Sequence, residues 1–211
     1  MTTTVNAKMA GWAKIVIVII TDSPLPPVLI PLSWLLGVWQ VHVKGFRNRA
    51  YDYPFDFDAS GYNETLSFTV AKAVMFGTPS INFTSESISD DDPSNVHCHN
   101  GFMTIRQYAP NGDNAEKAAL MTVNNVVMIL GVAFVEEGDI LKVERSNGWH
   151  LNLVPVYMNV KEELKDKVPT KLARSFVRKG SKLMQLITKE EKGRTLKFTK
   201  IYNRIKEFQF L

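Results

Sequence analysis

The sequence predicts an all-β protein: a single antiparallel β-barrel of about ten strands with short helical segments. Strand-length runs of apolar and polar residues follow one another from about residue 38 onward, separated by turn signals. Only one stretch in the middle of the chain has a convincing helical pattern. The 211 residues are 45% hydrophobic and 22% charged, which is ordinary for one packed domain. A barrel of this strand number has room for one small ligand or for a core of side chains.

Residues 1–23 are expected to form an N-terminal extension, and residues 24–206 the barrel domain. The β-branched run Ile15–Ile20 is shorter than the roughly 20 apolar residues that a membrane span needs, and it suits a buried strand. A signal peptide is the less favoured interpretation, because Thr21–Pro24 is a poor cleavage region. Prolines at positions 24, 26, 27 and 31 then break the chain before Trp34.

The first half of the domain consists of strands separated by short turns. Turn signals include Gly77–Pro79 and the polar loop around Pro110–Asn114, and Gly131 separates the last two runs. The predicted strands of this half are Val38–Lys44, Thr65–Val70, Ile81–Ser87, Phe102–Tyr108, Ala118–Val127 and Val132–Glu136.

The clearest hairpin joins Ile140–Glu144 to Leu151–Tyr157 through Asn147 and Gly148. Asn-Gly favours the two positive φ angles of a type I′ turn, whose twist matches that of paired strands. Pro155 lies inside the second run and has no N–H to donate, so it predicts an edge or bulge position.

The remaining segments complete the barrel. Val160–Lys167 is the helical fragment, and Pro169 ends it. The predicted closing strands are Leu172–Val177, Lys182–Thr188 and Thr195–Ile205.

Charge and cysteine content limit the partners. The net charge of +4 comes mainly from lysines and arginines after residue 160, which we interpret as the solvated outer face of strands. Without zinc-finger spacing or an RNP pattern, a nucleic-acid partner is not expected. One cysteine, Cys98, excludes an intrachain disulfide and favours a reducing, cytoplasmic location.

Five short blocks follow one another along the chain: Pro31–Trp39, Tyr62–Phe68, Gly77–Ser85, His97–Met103 and Gly131–Gly138. In this order they resemble the nitrobindin family of THAP-associated haem-binding domains. The resemblance covers roughly residues 24–206, and it supports the barrel independently of the strand pattern. Trp34 and Trp39 are expected to fill one barrel end, with Gly37 allowing a sharp entry into the first strand.

The resemblance implies haem b in the pocket, nitric oxide binding and isomerisation of peroxynitrite to nitrate. In the family the iron is held by a histidine on the last strand. The matching segment here, Lys197–Arg204, has Lys197 at that position. A lysine amine must lose its proton before it can bind a metal. Alternation also places Lys197 and Thr199 opposite the face of Phe198 and Tyr202, so Lys197 points to solvent if the aromatic face lines the interior.

The resemblance makes five residues candidates for cofactor binding: Lys197, His97, His99, Thr199 and Phe102. Lys197 and His97 are also the candidate metal ligands. His97 and His99 lie on the same side of a strand, a spacing that suits either a metal or a simple polar pair. We favour a polar pair on the solvent face, because no third ligand follows nearby.

Two other functions stay open. The first is a carrier of a hydrophobic molecule, similar to fatty-acid-binding proteins, with Arg106, Arg174 or Lys197 for the carboxylate, although each of the three is expected to face solvent. The second is an interaction module with a filled pocket, and a homodimer is compatible with the sequence. Common hydrolase motifs are absent, and the adjacent Glu136 and Glu137 face opposite sides of a strand, so they cannot form an acid/base pair.

Overall fold

The computed structural model describes residues 5–8, 16–21, 24–72, 77–106, 117–126, 129–143, 148–191 and 193–210. Within these ranges it contains twelve strands and two short 3-10 helices, Pro27–Leu35 and Glu162–Leu164. No described helix has the length and apolar character needed to cross a membrane. The strands are β1 (Val5–Lys8), β2 (Val16–Thr21), β3 (Gly37–Lys44), β4 (Gly61–Val70), β5 (Ile81–Ser89), β6 (Val96–Arg106), β7 (Lys117–Val126), β8 (Ile129–Val143), β9 (Gly148–Val160), β10 (Lys171–Lys179), β11 (Lys182–Glu191) and β12 (Arg194–Phe210).

Ten strands close into an antiparallel barrel. Each strand from β3 to β12 pairs with the next along the chain, and β12 returns to pair with β3. Closure removes the unpaired edges that an open sheet would expose. The predicted all-β barrel of about ten strands is therefore confirmed.

The N-terminal extension adds a small ribbon to this barrel. Strand β2 runs parallel to the end of β12, pairing Ile17 with Lys206 through Thr21 with Phe210, and β1 pairs with β2. The predicted strand is thus present over Val16–Thr21. Its side chains are half-buried rather than buried, because the ribbon joins β12 outside the closed ring.

The 3-10 helix Pro27–Leu35 closes one end of the barrel. Leu29, Leu32 and Leu35 are fully buried, and they pack with Trp34 and Trp39 in the main core cluster. Each tryptophan also donates its indole N–H to a carbonyl of this helix. The tryptophans fill a barrel end as predicted, whereas the proline-rich break is a tight helix because proline's fixed φ suits its first turn.

Two glycines, Gly37 and Gly101, lie where neighbouring backbone approaches closely. Gly37 has a φ of +146°, and a Cβ there would lie 2.8 Å from the carbonyl oxygen of Lys206. A Cβ on Gly101 would lie 1.8 Å from the carbonyl oxygen of Met121 on the next strand. A larger residue at either position would force neighbouring strands apart.

The β8–β9 hairpin contains the irregularity predicted at Pro155. The register shifts there, because Val135 pairs with Tyr157 but Glu136 pairs with Pro155. Val156 is thus the extra residue of a bulge. The turn residues Glu144–Asn147 lie outside the described residues, as does most of the loop predicted around Pro110–Asn114. The predicted helical fragment is reduced to the 3-10 turn Glu162–Leu164.

The opposite end of the barrel is covered by chain rather than by a helix. The segment between β3 and β4 folds back over the mouth, and Ala50, Tyr53, Phe57 and Ala59 are buried in it. A second core cluster forms where Tyr53 meets side chains from β8, β10 and β11. We call Ala50–Ala59 the inserted loop. We call this end of the barrel the open end, because a cleft remains beside the loop there.

Candidate functional site

A buried network of charged side chains lies beneath the inserted loop. The ammonium group of Lys200, on β12, contacts Asp52 Oδ1 at 2.5 Å and Glu64 Oε2 at 2.7 Å. Tyr202, two residues along β12, donates its hydroxyl to Glu64 at 2.8 Å and also lies 2.8 Å from Gln185. Both lysine and tyrosine face inward because strand residues two apart share a face.

The network keeps Asp52 and Lys200 ionised despite burial. Burial alone raises the pKa of Asp52, but the charge of Lys200 and the hydrogen bond of His97 outweigh it, so the pKa is lowered. Burial lowers the pKa of Lys200, but Asp52 and Glu64 together raise it. Two carboxylates thus share one lysine in a region with little water.

A second buried ion pair lies nearby on the barrel wall. Arg174, on β10, pairs with Glu136, on β8, and Tyr53 of the inserted loop donates its hydroxyl to Glu136 Oε1 at 2.7 Å. The guanidinium carbon of Arg174 also lies 4.6 Å from the centre of the Tyr53 ring. Arg174 was expected to face solvent. It is buried instead, because Glu136 neutralises it inside the barrel.

A third inward cation, Lys189 on β11, holds the inserted loop in place. Its ammonium group donates to the backbone carbonyl of Asp52 at 2.9 Å and contacts Asp56 Oδ1 at 2.5 Å. The last three strands therefore each bury a cation that pairs with carboxylates inside the barrel: Arg174, Lys189 and Lys200. Strand β12 also buries Arg204, whose guanidinium lies over the Trp39 ring. Sequence reasoning missed this arrangement, although Lys200 shares its face with Tyr202.

A cleft of about 840 Å³ lies at the open end, between the inserted loop and Leu164–Thr170. Its walls carry apolar side chains from both segments, including Phe55, Phe57 and Val168. His97 also lines the cleft, and its side chain is almost fully buried. The charged side chains around the cleft are Arg49, Asp56, Asp58, Lys165, Asp166, Lys167, Glu190 and Glu191.

His97 is held rigidly at the edge of this cleft. Its Nδ1 lies 3.2 Å from Asp52 Oδ2, and its ring stacks on Phe57 with a centroid distance of 3.6 Å. No described residue hydrogen-bonds to its other ring nitrogen, Nε2. A carboxylate on one ring nitrogen fixes the tautomer that leaves the other free to bind a metal. This arrangement suits an imidazole ligand.

His99 lies deeper in the barrel and in a different environment. Burial, together with the charge of Arg174, lowers the pKa of His99 to about 3. Its Nδ1 and both amide atoms of Asn124, which is opposite on β7, are buried without a hydrogen-bond partner in the described residues. His97 and His99 are 4% and 3% exposed, so the expected pair on the solvent face is in fact inside the barrel.

The other three candidate residues lie on the outer face. Lys197 and Thr199 are exposed on β12, on the side opposite the buried Lys200 and Tyr202. Phe102, on β6, is 52% exposed. From these positions none of the three reaches the barrel interior, because inward and outward residues alternate along a strand.

The remaining charged candidates do not form a catalytic arrangement. Arg106 is exposed and bonds Glu137 on the outer face, whereas Glu136 is buried. The two glutamates therefore face opposite sides of β8, as predicted. Within the described ranges, no group of three or more His, Cys, Asp or Glu side chains is placed to hold a metal ion.

Comparison with known proteins identifies the family. The family model of the THAP4-like, heme-binding beta-barrel domain matches residues 28–202, which is most of the chain. This chain belongs to that family. The resemblance read from the five sequence blocks is therefore confirmed. A comparison with curated proteins found no match.

A solved structure agrees with this assignment at the level of the fold. The crystal structure of Rv2717c from M. tuberculosis is similar, with a TM-score of 0.58 and 19% sequence identity. The similarity covers 85% of this chain and 98% of that chain. At this identity the likeness shows the fold alone.

The family's haem fits one part of this barrel and not another. The centre is occupied by Lys200, Arg174 and their carboxylate partners. An apolar ring could enter there only by separating these ion pairs, which would leave buried charges without partners. The cleft at the open end offers an imidazole with a free Nε2 and aromatic walls. The residues present therefore fit haem at the open end, over His97.

Proposed function

We propose that this barrel binds a flat, partly apolar ligand in the cleft at its open end, and that haem is the first candidate. The observation that carries the proposal is His97, whose ring is fixed by Asp52 and Phe57 while its Nε2 stays free at the cleft. Ligand sites of this kind combine apolar walls with a few well-placed polar groups.

Each residue of the cleft would have its own role in binding haem. His97 would ligate the iron, and Asp52 would keep its ring in the required tautomer. Phe57 and Val168 would supply apolar contacts to the ring. At the mouth of the cleft, Lys167 is the cation available to a propionate, because Lys165 already pairs with Glu162. Haem held there would supply the nitric oxide binding and peroxynitrite isomerisation that the resemblance implies.

Titration with haem, followed by absorbance in the Soret region, tests the proposal. The wild-type protein is expected to bind haem saturably, and His97→Gln is expected to weaken binding by about tenfold or more, because glutamine lacks the imidazole. His99→Gln and Lys197→Ala are matched controls. The first removes a buried histidine away from the cleft and the second an exposed lysine, so both are expected to bind as the wild type does.

The opposite pattern would contradict the proposal. If Lys197→Ala abolished binding and His97→Gln did not, the residue that holds the iron would lie on the last strand, where the family's histidine is expected. If the wild type showed no saturable binding, haem would not be the ligand. Far-UV circular dichroism of each variant checks that the barrel stays folded.

The fatty-acid carrier is less well supported. Such a carrier needs a buried cation that is free to meet a carboxylate. Inside this barrel Arg174, Lys189 and Lys200 are each already paired with a carboxylate of the protein. Arg204 is also buried and pairs through Nη1 with Glu207, whereas its Nε and Nη2 have no hydrogen-bond partner among the described residues, so it is the one of these four cations that could meet a carboxylate. Displacement of a fluorescent fatty acid would test this alternative directly.

A cytoplasmic location stays a prediction. It is supported by Cys98, which is unpaired and half-buried on β6. Burial, and then the charge of Glu86, raise the pKa of its thiol, so the thiol stays protonated and unreactive. Localisation of a tagged full-length chain would test it.

A further inference from the structure

A contiguous apolar surface lies on the outer face of β6 to β9, away from the cleft. Its side chains point outward and form a groove of about 670 Å³. Phe102 and Tyr157 are its most exposed aromatic members, at 52% and 57%. We call this surface the outer patch, and its apolar residues are Phe102, Met121, Val123, Ala133, Val135 and Tyr157.

The outer patch has the composition of a protein interface. Its polar members, such as Asn82, Thr84 and Asn100, are uncharged, and no charged residue lines the groove in the part of the chain that the structure describes. At its border Arg106 and Glu137 pair with each other, and Glu86 lies two residues beyond Thr84 on the same face of β5. Interfaces are enriched in aromatic residues and methionine and depleted in charge at their centres. Monomeric proteins rarely expose such a surface without using it.

Charge determines which partner suits this surface. The chain carries a net charge of +4, and exposed lysines such as Lys182 and Lys197 lie on the opposite strands, β11 and β12. Two copies therefore repel each other where these lysines meet. An isologous contact through the outer patch sets an uncharged surface against an identical one and keeps the lysines apart.

We propose that two copies of this chain associate through the outer patch as a homodimer. Four adjacent strands span roughly 15 Å, so the apolar centre is small and the dimer is reversible rather than obligate. The interaction is independent of the proposed ligand, because the cleft lies at the end of the barrel and the patch on its side.

Sedimentation velocity over a range of protein concentrations tests the dimer. The wild type is expected to shift from monomer to dimer as concentration rises. Phe102→Glu and, separately, Tyr157→Lys are expected to raise the dissociation constant by about tenfold or more, because each puts a charge at the centre of the contact. Ile201→Glu is the matched control, since Ile201 is a similarly exposed apolar residue on the outer face of β12.

Two results would overturn the proposal. One is a wild type that stays monomeric at every concentration reached. The other is a dimer that Ile201→Glu weakens as strongly as Phe102→Glu does, which would place the interface elsewhere. Because all three residues are exposed, their substitution is expected to leave the circular dichroism spectrum unchanged.

Discussion

Single residues explain why the centre of this barrel differs from an apolar pocket. Lys200 lies on the inward face of β12, where its ammonium group contacts two carboxylates and lies 5.3 Å from the centre of the Tyr62 ring. A buried charge without its partner is strongly unfavourable, whereas a complete pair is roughly neutral relative to apolar residues. The main effect of these ion pairs is therefore on which ligands the interior can bind. Their net contribution to the stability of the fold is small.

Removal of Lys200 alone is expected to destabilise the protein strongly. Lys200→Met leaves Asp52 and Glu64 buried without their shared cation, so the free energy of unfolding should fall by about 3–5 kcal/mol. In the triple variant Lys200→Met, Asp52→Asn, Glu64→Gln, most of that loss should be recovered. Urea unfolding at pH 7 measures both. Equal losses in the single and triple variants would show that the charges are not the cause.

His99 is expected to make the stability depend on pH. Its folded pKa, about 3, lies below its ordinary value of 6.5, so between these values the unfolded chain binds more protons than the folded one. Above about pH 6.5 His99 is neutral in both states and does not change the free energy of unfolding. Below that pH it lowers the free energy of unfolding by about 1.4 kcal/mol per pH unit, because protons bind to the unfolded chain.

Urea unfolding between pH 7.5 and 4.5 measures this effect. His99→Gln should flatten the decline in stability relative to the wild type. The same slope in His99→Gln as in the wild type would contradict a buried, neutral His99.

The residues of the closed end could be predicted from the sequence, and those of the open end only in part. Trp39 and Gly37 follow from size and backbone geometry, which are local properties. His97 was identified, but its burial was not. The reason is that Asp52 and Phe57, which bury it, come from a loop about 40 residues away in sequence. No period or spacing in the sequence indicates that this loop enters the barrel.

At the scale of elements, the 3-10 helix Pro27–Leu35 and the inserted loop close the two ends by different means. The helix buries three leucines, whereas the loop is held by ion pairs and hydrogen bonds to Lys189 and Lys200. Its Tyr53 also donates to Glu136 and stacks against the guanidinium of Arg174. Strand order was predictable because consecutive antiparallel strands pair with their neighbours. The parallel ribbon of β2 on β12 was not, because its partner lies at the far end of the chain.

The buried face of the 3-10 helix Pro27–Leu35 is expected to account for the contribution of this helix to the stability of the protein. Leu32→Ala removes a fully buried side chain, so the free energy of unfolding should fall by about 2–5 kcal/mol. Ile30→Ala, in the same helix but 56% exposed, should change it by about 0.5 kcal/mol or less. Thermal or urea unfolding compares the two. Similar losses would mean that the helix does not pack into the barrel as described.

At the scale of the whole molecule, the barrel has a closed apolar end, a charged centre and an open end with a histidine-lined cleft. The family assignment implies a ligand-binding barrel, and we propose that the charged centre confines the ligand to the mouth. In this proposal the hydrophobic ligand and the second copy of the chain use separate surfaces, the cleft and the outer patch. We place the ligand at the open end, over His97.

Methyl NMR during titration with zinc protoporphyrin, a diamagnetic haem analogue, tests that claim most directly. We expect shifts of the Leu164 and Val168 methyl signals and of the His97 ring signals, with the signals of Leu66 and Leu151 in the main core unchanged. Shifts centred on Leu66 and Leu151 would place the ligand inside the barrel and contradict a site over His97.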